Sequence, residues 1–346
     1  MLRATTRRRR VEASRMIHPA PASHPLLWPL VPVYRLGLAL RELQLRSGLK
    51  PVRRLHWPVV SIGNLSTGGS GKTPLTIALA RAFTARGLYV DVLSRGYGRR
   101  SKGAARADAS GSVDDFGDEP LVIAREAGVP VYVAAERYEA GWMAEKAGQQ
   151  AGIHLLDDGF QHRQLYRDVD ILLLSSTDLN DHLLPAGNLR ERLHAAARAH
   201  VMAVPADEAN LVEAEIRSRG WGAEIWRLRR IVEIPRIDGP VVAFCGIARP
   251  DQFFDGLEHS GVKLAARFAF PDHHRYSESD LSRIAAAAQR AGVRVLLTTE
   301  KDRVRLGSLA DNLFAQVQLK PVSLRIEIEN ESSVMNDLVA RLLGMG

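Results

Sequence analysis

A single cysteine, Cys245, stands in 346 residues. One thiol excludes an internal disulfide and any cluster of cysteine metal ligands, which fits a chain kept in a reducing cytosol. Also missing is an unbroken apolar run long enough to cross a bilayer. Residues 17–34 carry no Lys, Arg, Asp or Glu, but five prolines interrupt them. They read neither as a membrane-spanning helix nor as a signal peptide. Acidic side chains are outnumbered, 39 against 47 basic ones, which leaves a formal net charge of +8 and a pI of about 9.9. Such a balance suits an anionic partner: nucleic acid, an acidic membrane face or a phosphorylated substrate. The excess is concentrated at the front, in Arg7 to Arg10 and then Arg35, Arg41, Arg46, Lys50, Arg53 and Arg54. No zinc-finger or aromatic-rich RNA-binding signature accompanies it, so nucleic acid is not the expected partner. Repeats and low-complexity linkers are absent too. The composition that remains, 46% hydrophobic and 25% charged, is that of a globular chain long enough for two cores.

What the chain does have is centred on Ser61-Ile62-Gly63-Asn64-Leu65-Ser66-Thr67-Gly68-Gly69-Ser70-Gly71-Lys72-Thr73-Pro74. An apolar strand, Pro58 to Ile62, leads in and a helical pattern, Leu75 to Phe83, leads out. Strand, glycine-rich turn, Gly-Lys-Thr and helix make a phosphate-binding loop. Gly68, Gly69 and Gly71 let backbone N–H groups converge on phosphate oxygens, with Ser66, Thr67 and Ser70 completing the turn. The positive end of the following helix faces the same anion. Lys72 is expected to reach the β- and γ-phosphates, and the Thr73 hydroxyl to ligate Mg²⁺. Ser66 occupies the position where the usual pattern opens with Gly. The loop specifies a nucleoside triphosphate and leaves the phosphate acceptor open.

From Trp57 to about Ala203 apolar runs alternate with helical patterns. Strands are expected at Val59–Gly63, Tyr89–Ser94, Val129–Ala134, Ile153–Asp157, Asp170–Leu174 and His200–Val204. This rhythm predicts an α/β fold: a P-loop NTPase-type, mainly parallel sheet with helices on both faces and ligands at the strand C-termini. After Pro205 come a helix and turn, a strand at Glu224–Ile234, and a second, smaller α/β unit with strands near Val241, Leu264 and Val293. Leu319–Ile328 alternates like an edge or linker strand, and Val334–Leu343 like a short amphipathic helix. Near the front, helical spacing from Val33 to Ser47 sets Leu36, Leu40 and Leu43 on one face bordered by basic residues. That is an interfacial membrane anchor or an amphipathic helix packed on the domain.

Several polar clusters follow strands. Asp157-Asp158-Gly159 has the placement of the carboxylate that holds Mg²⁺ in phosphate-loop enzymes, or forms a turn. Gly117-Asp118-Glu119-Pro120 is an acidic helix start or a site element. Ser94-Arg95-Gly96-Tyr97-Gly98 is a basic turn or a loop that stacks Tyr97 on a ligand. Arg190-Glu191 is a surface pair or places an Arg on the triphosphate. Asp272-His273-His274 offers a metal site or a His–carboxylate base. Thr298-Thr299-Glu300-Lys301-Asp302 starts a helix.

Taken in order, the loop, Ser-Arg-Gly-Tyr-Gly, Gly-Asp-Glu-Pro, Asp-Asp-Gly-Phe-Gln-His, Leu-Pro-Ala-Gly, Cys-Gly-Ile-Ala, Asp-His-His and Thr-Thr-Glu-Lys-Asp resemble the tetraacyldisaccharide 4′-kinases of lipid A biosynthesis, from about Leu26 to Asp302. The resemblance implies ATP, Mg²⁺ and transfer of phosphate to the 4′-hydroxyl of a lipid-anchored tetraacyl glucosamine disaccharide 1-phosphate, giving lipid IVA. It implies work on an anionic membrane surface, the cytoplasmic face of the bacterial inner membrane, with no protein partner required. By matched motif, Asp118 is the base and His273 its partner across an interdomain cleft. Asp157, Asp158 and Glu191 serve Mg²⁺ or its waters, Arg190 contacts phosphate, and Tyr97 lines the nucleotide or acceptor site. Asn188 and Arg192 stand where the family usually has Pro. The expected division is a basic disordered extension at 1–25, an anchoring segment at 26–50, the kinase domain at 51–205 and the second domain at 206–346. A nucleotide-switch ATPase, the rival class, carries a second Lys where Thr67 stands.

Overall fold

Every residue of the strand before the phosphate loop, Val59–Asn64, is buried, as expected of a strand covered on both faces. The computed structural model describes residues 8–12, 24–148, 151–307, 309 and 317–344. Its strands are β1 (Arg9–Glu12), β2 (Val59–Asn64), β3 (Val90–Ser94), β4 (Ala105–Arg106), β5 (Val131–Val133), β6 (Ile153–Asp157), β7 (Val169–Leu173), β8 (Val201–Pro205), β9 (Glu224–Ile234), β10 (Val241–Cys245), β11 (Leu264–Ala269), β12 (Val295–Thr299) and β13 (Gln318–Ile328). The helices are α1 (Val31–Arg46), α2 (Lys72–Ala85), α3 (Val113–Phe116), α4 (Asp118–Ala127), α5 (Arg137–Ala147), α6 (Ser176–Leu179), α7 (Ala209–Ser218), α8 (Pro250–His259), α9 (Glu278–Arg290), α10 (Glu300–Leu306) and α11 (Glu331–Leu343).

The strands form one sheet in the order β11-β10-β12-β13-β9-β8-β7-β2-β6-β3-β5-β4, with β1 added to β9. Pairing is parallel except at β13/β9, β4/β5 and β1/β9. Alternation along the strands supplies two faces. Val60, Ile62 and Leu155 pack under Leu75, Leu79 and Phe83 of α2 and Ile123 of α4. Leu172 and Met202 face the other way, onto Val212 and Ile216 of α7. In the second half, Val242 and Phe244 meet α9 while Val241 and Ala243 meet α8.

The two halves do not divide at residue 205. Glu224–Leu228 of β9 pairs with β8, and its later residues pair antiparallel with β13. Gln318–Val322 of β13 pairs with β12. These two long strands are therefore shared, and of the two expectations for β13 the pairing fits the linker strand, not the edge. Helix α7 and helix α11 pack on the first half, the latter through Met335 and Leu338. Antiparallel β13 carries the chain back there before α11 begins. Part of the expected disordered extension is ordered as well. Beyond Leu228 the free edge of β9 is covered by β1, with Arg10 Nε 3.2 Å from a Glu233 carboxylate oxygen, which relieves the open edge. Residues 1–7, and Met16 as an alternative start, lie outside the described residues.

Helix α1 buries none of its residues. Val33, Leu36, Leu40 and Leu43 are 52–67% exposed, so packing on the domain does not account for its apolar side. It is held by polar contacts instead: Tyr34 donates to the Arg190 carbonyl at 2.9 Å, Arg41 donates to the Gln161 carbonyl, and Glu42 pairs with Arg163. Among the described residues no helix is long and apolar enough to cross a membrane.

Candidate active site

A cleft of about 1910 Å³ opens between the two halves above the phosphate loop. The loop leaves the end of β2 and enters α2 through Gly68 and Gly71, at φ of +100° and +96°, values that favour glycine. Residues Ser66 through Thr73 all line the cleft. Asn64, fully buried, fastens this turn: its Nδ2 donates to the Ser66 carbonyl at 2.8 Å, and its Oδ1 accepts from Lys72 Nζ at 2.9 Å and from Arg190. Gly63 lets the neighbouring turn approach. A Cβ there would sit 2.5 Å from Phe160 Cβ and 2.8 Å from its backbone nitrogen.

That approach sets the two acidic residues after β6 beside the loop. Arg190 makes a forked contact to Asp158, at 3.1 and 3.0 Å, and Lys72 stands 3.6 Å away. Burial favours protonation of Asp158, but Lys72 and the Arg190 hydrogen bond outweigh it and bring the carboxyl to about 2. Among the described residues Asp157 accepts from the Thr76 hydroxyl at 3.2 Å, and burial with the Glu119 and Asp158 charges pushes its proton affinity up. Asp158 adopts φ +51°, a conformation that Asp tolerates better than most residues.

These groups suit a hard cation. Among the described residues no group of three or more His, Cys, Asp or Glu gathers for a metal. Mg²⁺ retains several waters and is commonly held by one or two carboxylates together with phosphate. Asp157, Asp158 and the Thr73 hydroxyl, all lining the cleft beside the loop, match that donor set. Glu191 does not join them: its carboxylate pairs with Arg198 at 2.8 Å and lies outside the cleft lining. Successive side chains diverge there, so Arg190 turns in and Glu191 turns away.

The opposite wall comes from the second half. His273, at φ +58°, follows β11 and places Nδ1 3.0 Å from Asp118 Oδ2. Asp118 is the first residue of α4 and is 3% exposed. Of the pair, His273 reaches the cleft and Asp118 lies behind it. Burial alone would raise the Asp118 carboxyl, but the His273 hydrogen bond and the Arg305 and Lys301 charges overcome it and hold it far below the usual range. The Asp118 hydrogen bond raises His273 against burial and the Arg305 charge. The Tyr97 ring stands 5.9 Å from the His273 ring and is largely exposed in the cleft. His274 turns away to Asp280, at 3.0 Å, and stacks on Phe270, so the two histidines do not make a metal site.

The structure brings together the loop, Asp157, Asp158, Arg190 and Tyr97, and it sets Asp118 against His273 as the resemblance implies. Asn64, Arg305, and the pair of Lys301 with Glu119 belong to the same neighbourhood without a motif that marks them as site residues. Arg305 donates to Asp118 through Nε at 2.9 Å and through Nη2, and Lys301 meets Glu119 at 2.7 Å. Four-residue helical spacing from Lys301 was the available signal for Arg305. Farther along the cleft Arg95 and Arg137 face it. Arg137 is 6% exposed and its Nε has no partner among the described residues, an arrangement ready for an anion.

A family model described as tetraacyldisaccharide-1-P 4′-kinase, LpxK, matches residues 23–343. A tetraacyldisaccharide 4′-kinase of Koribacter versatilis is 39% identical over 322 residues, 90% of this chain and 97% of that protein. One from Neisseria meningitidis is 34% identical over 333 residues, 92% of this chain and 93% of its own. The crystal structure of the apo form of LpxK from Aquifex aeolicus in complex with ATP superposes with a TM-score of 0.72 at 30% identity, covering 92% of this chain and 98% of that one.

Proposed function

This chain belongs to the tetraacyldisaccharide-1-P 4′-kinase family, and from that we infer that it transfers the γ-phosphoryl group of ATP to the 4′-hydroxyl of a tetraacyl glucosamine disaccharide 1-phosphate, forming lipid IVA in lipid A biosynthesis. The observation that carries the assignment of roles is the opposition of Lys72, Asp158 and Arg190 on one wall to His273 and Asp118 on the other. Phosphoryl transfer needs positioning and charge neutralisation more than covalent help. The loop amides and Lys72 hold the β- and γ-phosphates, and Arg190 takes up charge developing on the transferring group. Mg²⁺, held by Thr73 with Asp157 and Asp158, would neutralise the same oxygens. The Asp118–His273 pair accepts the 4′-hydroxyl proton, and Arg95 and Arg137 suit the acceptor's own phosphate. Tyr97 borders the reacting end of the cleft. The test is ADP formation by the purified chain, which should require the acceptor and Mg²⁺ but no second protein. ADP release at an undiminished rate without acceptor would favour a nucleotide-switch ATPase instead.

The acceptor is lipid-anchored, so α1 is read as an interfacial anchor on the cytoplasmic face of the inner membrane. Its exposed leucines support this, and its Lys and Arg neighbours would each add roughly 1 kcal/mol on an anionic surface. High salt with mild detergent is expected to release the enzyme from membranes, and Leu36→Glu with Leu40→Glu to shift it into the wash without either. An N-terminus protected from protease on the far side of the membrane would contradict a peripheral anchor.

A further inference from the structure

We propose that Arg305 is a positioning residue for the proton-accepting pair: anchored in the second half, it fixes the Asp118 carboxylate across the boundary between the halves and favours its ionised form. The proposal rests on the reading of Asp118 and His273 given above. Arg305 is 4% exposed and lies outside the cleft lining, so it acts through Asp118 and not on the substrates.

Its guanidinium is committed on both sides. Nε, at 2.9 Å, and Nη2 donate to Asp118 Oδ2, the oxygen that also faces His273 Nδ1. Nη1 donates to the Gly246 carbonyl and, at 3.1 Å, to Asp302 Oδ1. Asp302 is itself fully buried and fixed by the Gly246 N–H, the Tyr276 hydroxyl and the Thr299 hydroxyl, at 3.1, 3.0 and 2.6 Å. A rigid chain of hydrogen bonds thus runs from the second half's core to one carboxylate oxygen of the first half. Among the described residues Asp118 Oδ1 accepts from the Glu119 backbone N–H, at 2.9 Å.

Charge acts in the same direction as geometry. Asp118 is faced by His273, Arg305 and Lys301, and these have acidic partners of their own: Asp272 beside His273 and Arg305, Asp302 beside Arg305, and Glu119 beside Lys301. Arg305 Nη2 also stands 3.2 Å from His273 Nδ1, where its charge opposes a second proton on the imidazole. Removing the guanidinium charge therefore raises the proton affinity of both members. The pair then needs a higher pH to be free of its proton, and the acid limb of activity moves upward.

The experiment is the pH dependence of kcat/KM for the full chain with ATP, Mg²⁺ and tetraacyldisaccharide 1-phosphate, in Arg305→Gln, Arg305→Lys, Asp118→Asn and the Arg305→Gln/Asp118→Asn double variant. Arg305→Gln is expected to move the acid limb up by about one pH unit or more, with KM for ATP within about twofold of wild type. Arg305→Lys, which keeps the charge, should hold the limb within about half a unit. In the Asp118→Asn background the Gln substitution should move the limb less, through His273 alone, and a shift there as large as in the wild-type background would overturn action through Asp118. A loss of kcat in Arg305→Gln with its acid limb in place means a structural pin only and overturns the proposal. If Arg305→Gln does not fold, Arg305→Lys decides, since a limb displaced by a full unit there overturns it equally. Wild-type kcat in Asp118→Asn would instead remove the proton-accepting role of the pair, a separate failure that the single variants distinguish.

Discussion

Lys72→Ala is expected to abolish measurable phosphoryl transfer while the protein still folds. Lys72 Nζ now rests on Asn64 Oδ1 at 2.9 Å and 3.6 Å from Asp158, at the mouth of the loop. With ATP bound, that cation faces the β- and γ-oxygens, whose charge grows as the bond to the leaving group loosens. Removing one preorganised donor of this kind costs about 10²–10³-fold, and removing a full charge costs more. The loss should appear in kcat more than in KM for ATP, because the loop amides still hold the phosphates. Folding should survive, since Asp158 keeps the forked Arg190 contact and α2 keeps its buried face of Leu75, Leu79 and Phe83. Near wild-type kcat with an intact melting transition would remove the loop from the mechanism.

The second large effect concerns Asp118 and His273, 155 positions apart and joined at 3.0 Å. A general base contributes about 10²–10⁴-fold, and Asp118→Asn and His273→Ala are each expected to lower kcat within that range. KM for ATP should change little, because neither residue touches the phosphate loop. Groups that work as a unit give non-additive losses, so the double variant should be little worse than the worse single one. Multiplicative losses would show that the two act independently. Asp118→Asn also leaves Arg305 with less compensation, although Asp302 and the Gly246 carbonyl remain. Melting must therefore be followed beside kcat to separate chemistry from stability.

Local features were legible in the sequence and long-range ones were not. The phosphate loop is contiguous, so strand, glycines, Lys72 and Thr73 declare themselves together. Asp118 and His273 were joined only by resemblance to a family, because nothing in their spacing brings α4 to the turn after β11. Arg305 lay beyond the last recognised motif. Asn64 sat inside one, but a buried amide that ties Lys72 to Arg190 looks in sequence like a strand end. Strand β13 alternates like an edge or a linker, and it is a linker, paired with β12 and then with β9. An interior strand alternates here because its stretch from Val322 to Glu327 borders the open cleft while Ile326 and Ile328 also reach the core. The leucines of α1 fit two readings of one pattern, because periodicity does not tell whether a neighbouring element covers an apolar side; here none of the α1 residues is buried. Arg190-Glu191 reads in sequence as a surface pair or as an Arg on the triphosphate, and the resemblance adds Glu191 to the Mg²⁺ site. The chain turns one inward and gives the other to Arg198.

The most direct measurement of the central claim is the mass and position of the product. Purified protein is incubated with ATP, Mg²⁺ and tetraacyldisaccharide 1-phosphate, and the lipid is analysed by mass spectrometry and phosphorus NMR. The account predicts a lipid heavier by one phosphate, carried on the 4′-oxygen, formed in step with ADP. Free phosphate accumulating with the lipid unchanged, or a phosphate placed on another hydroxyl, would contradict it.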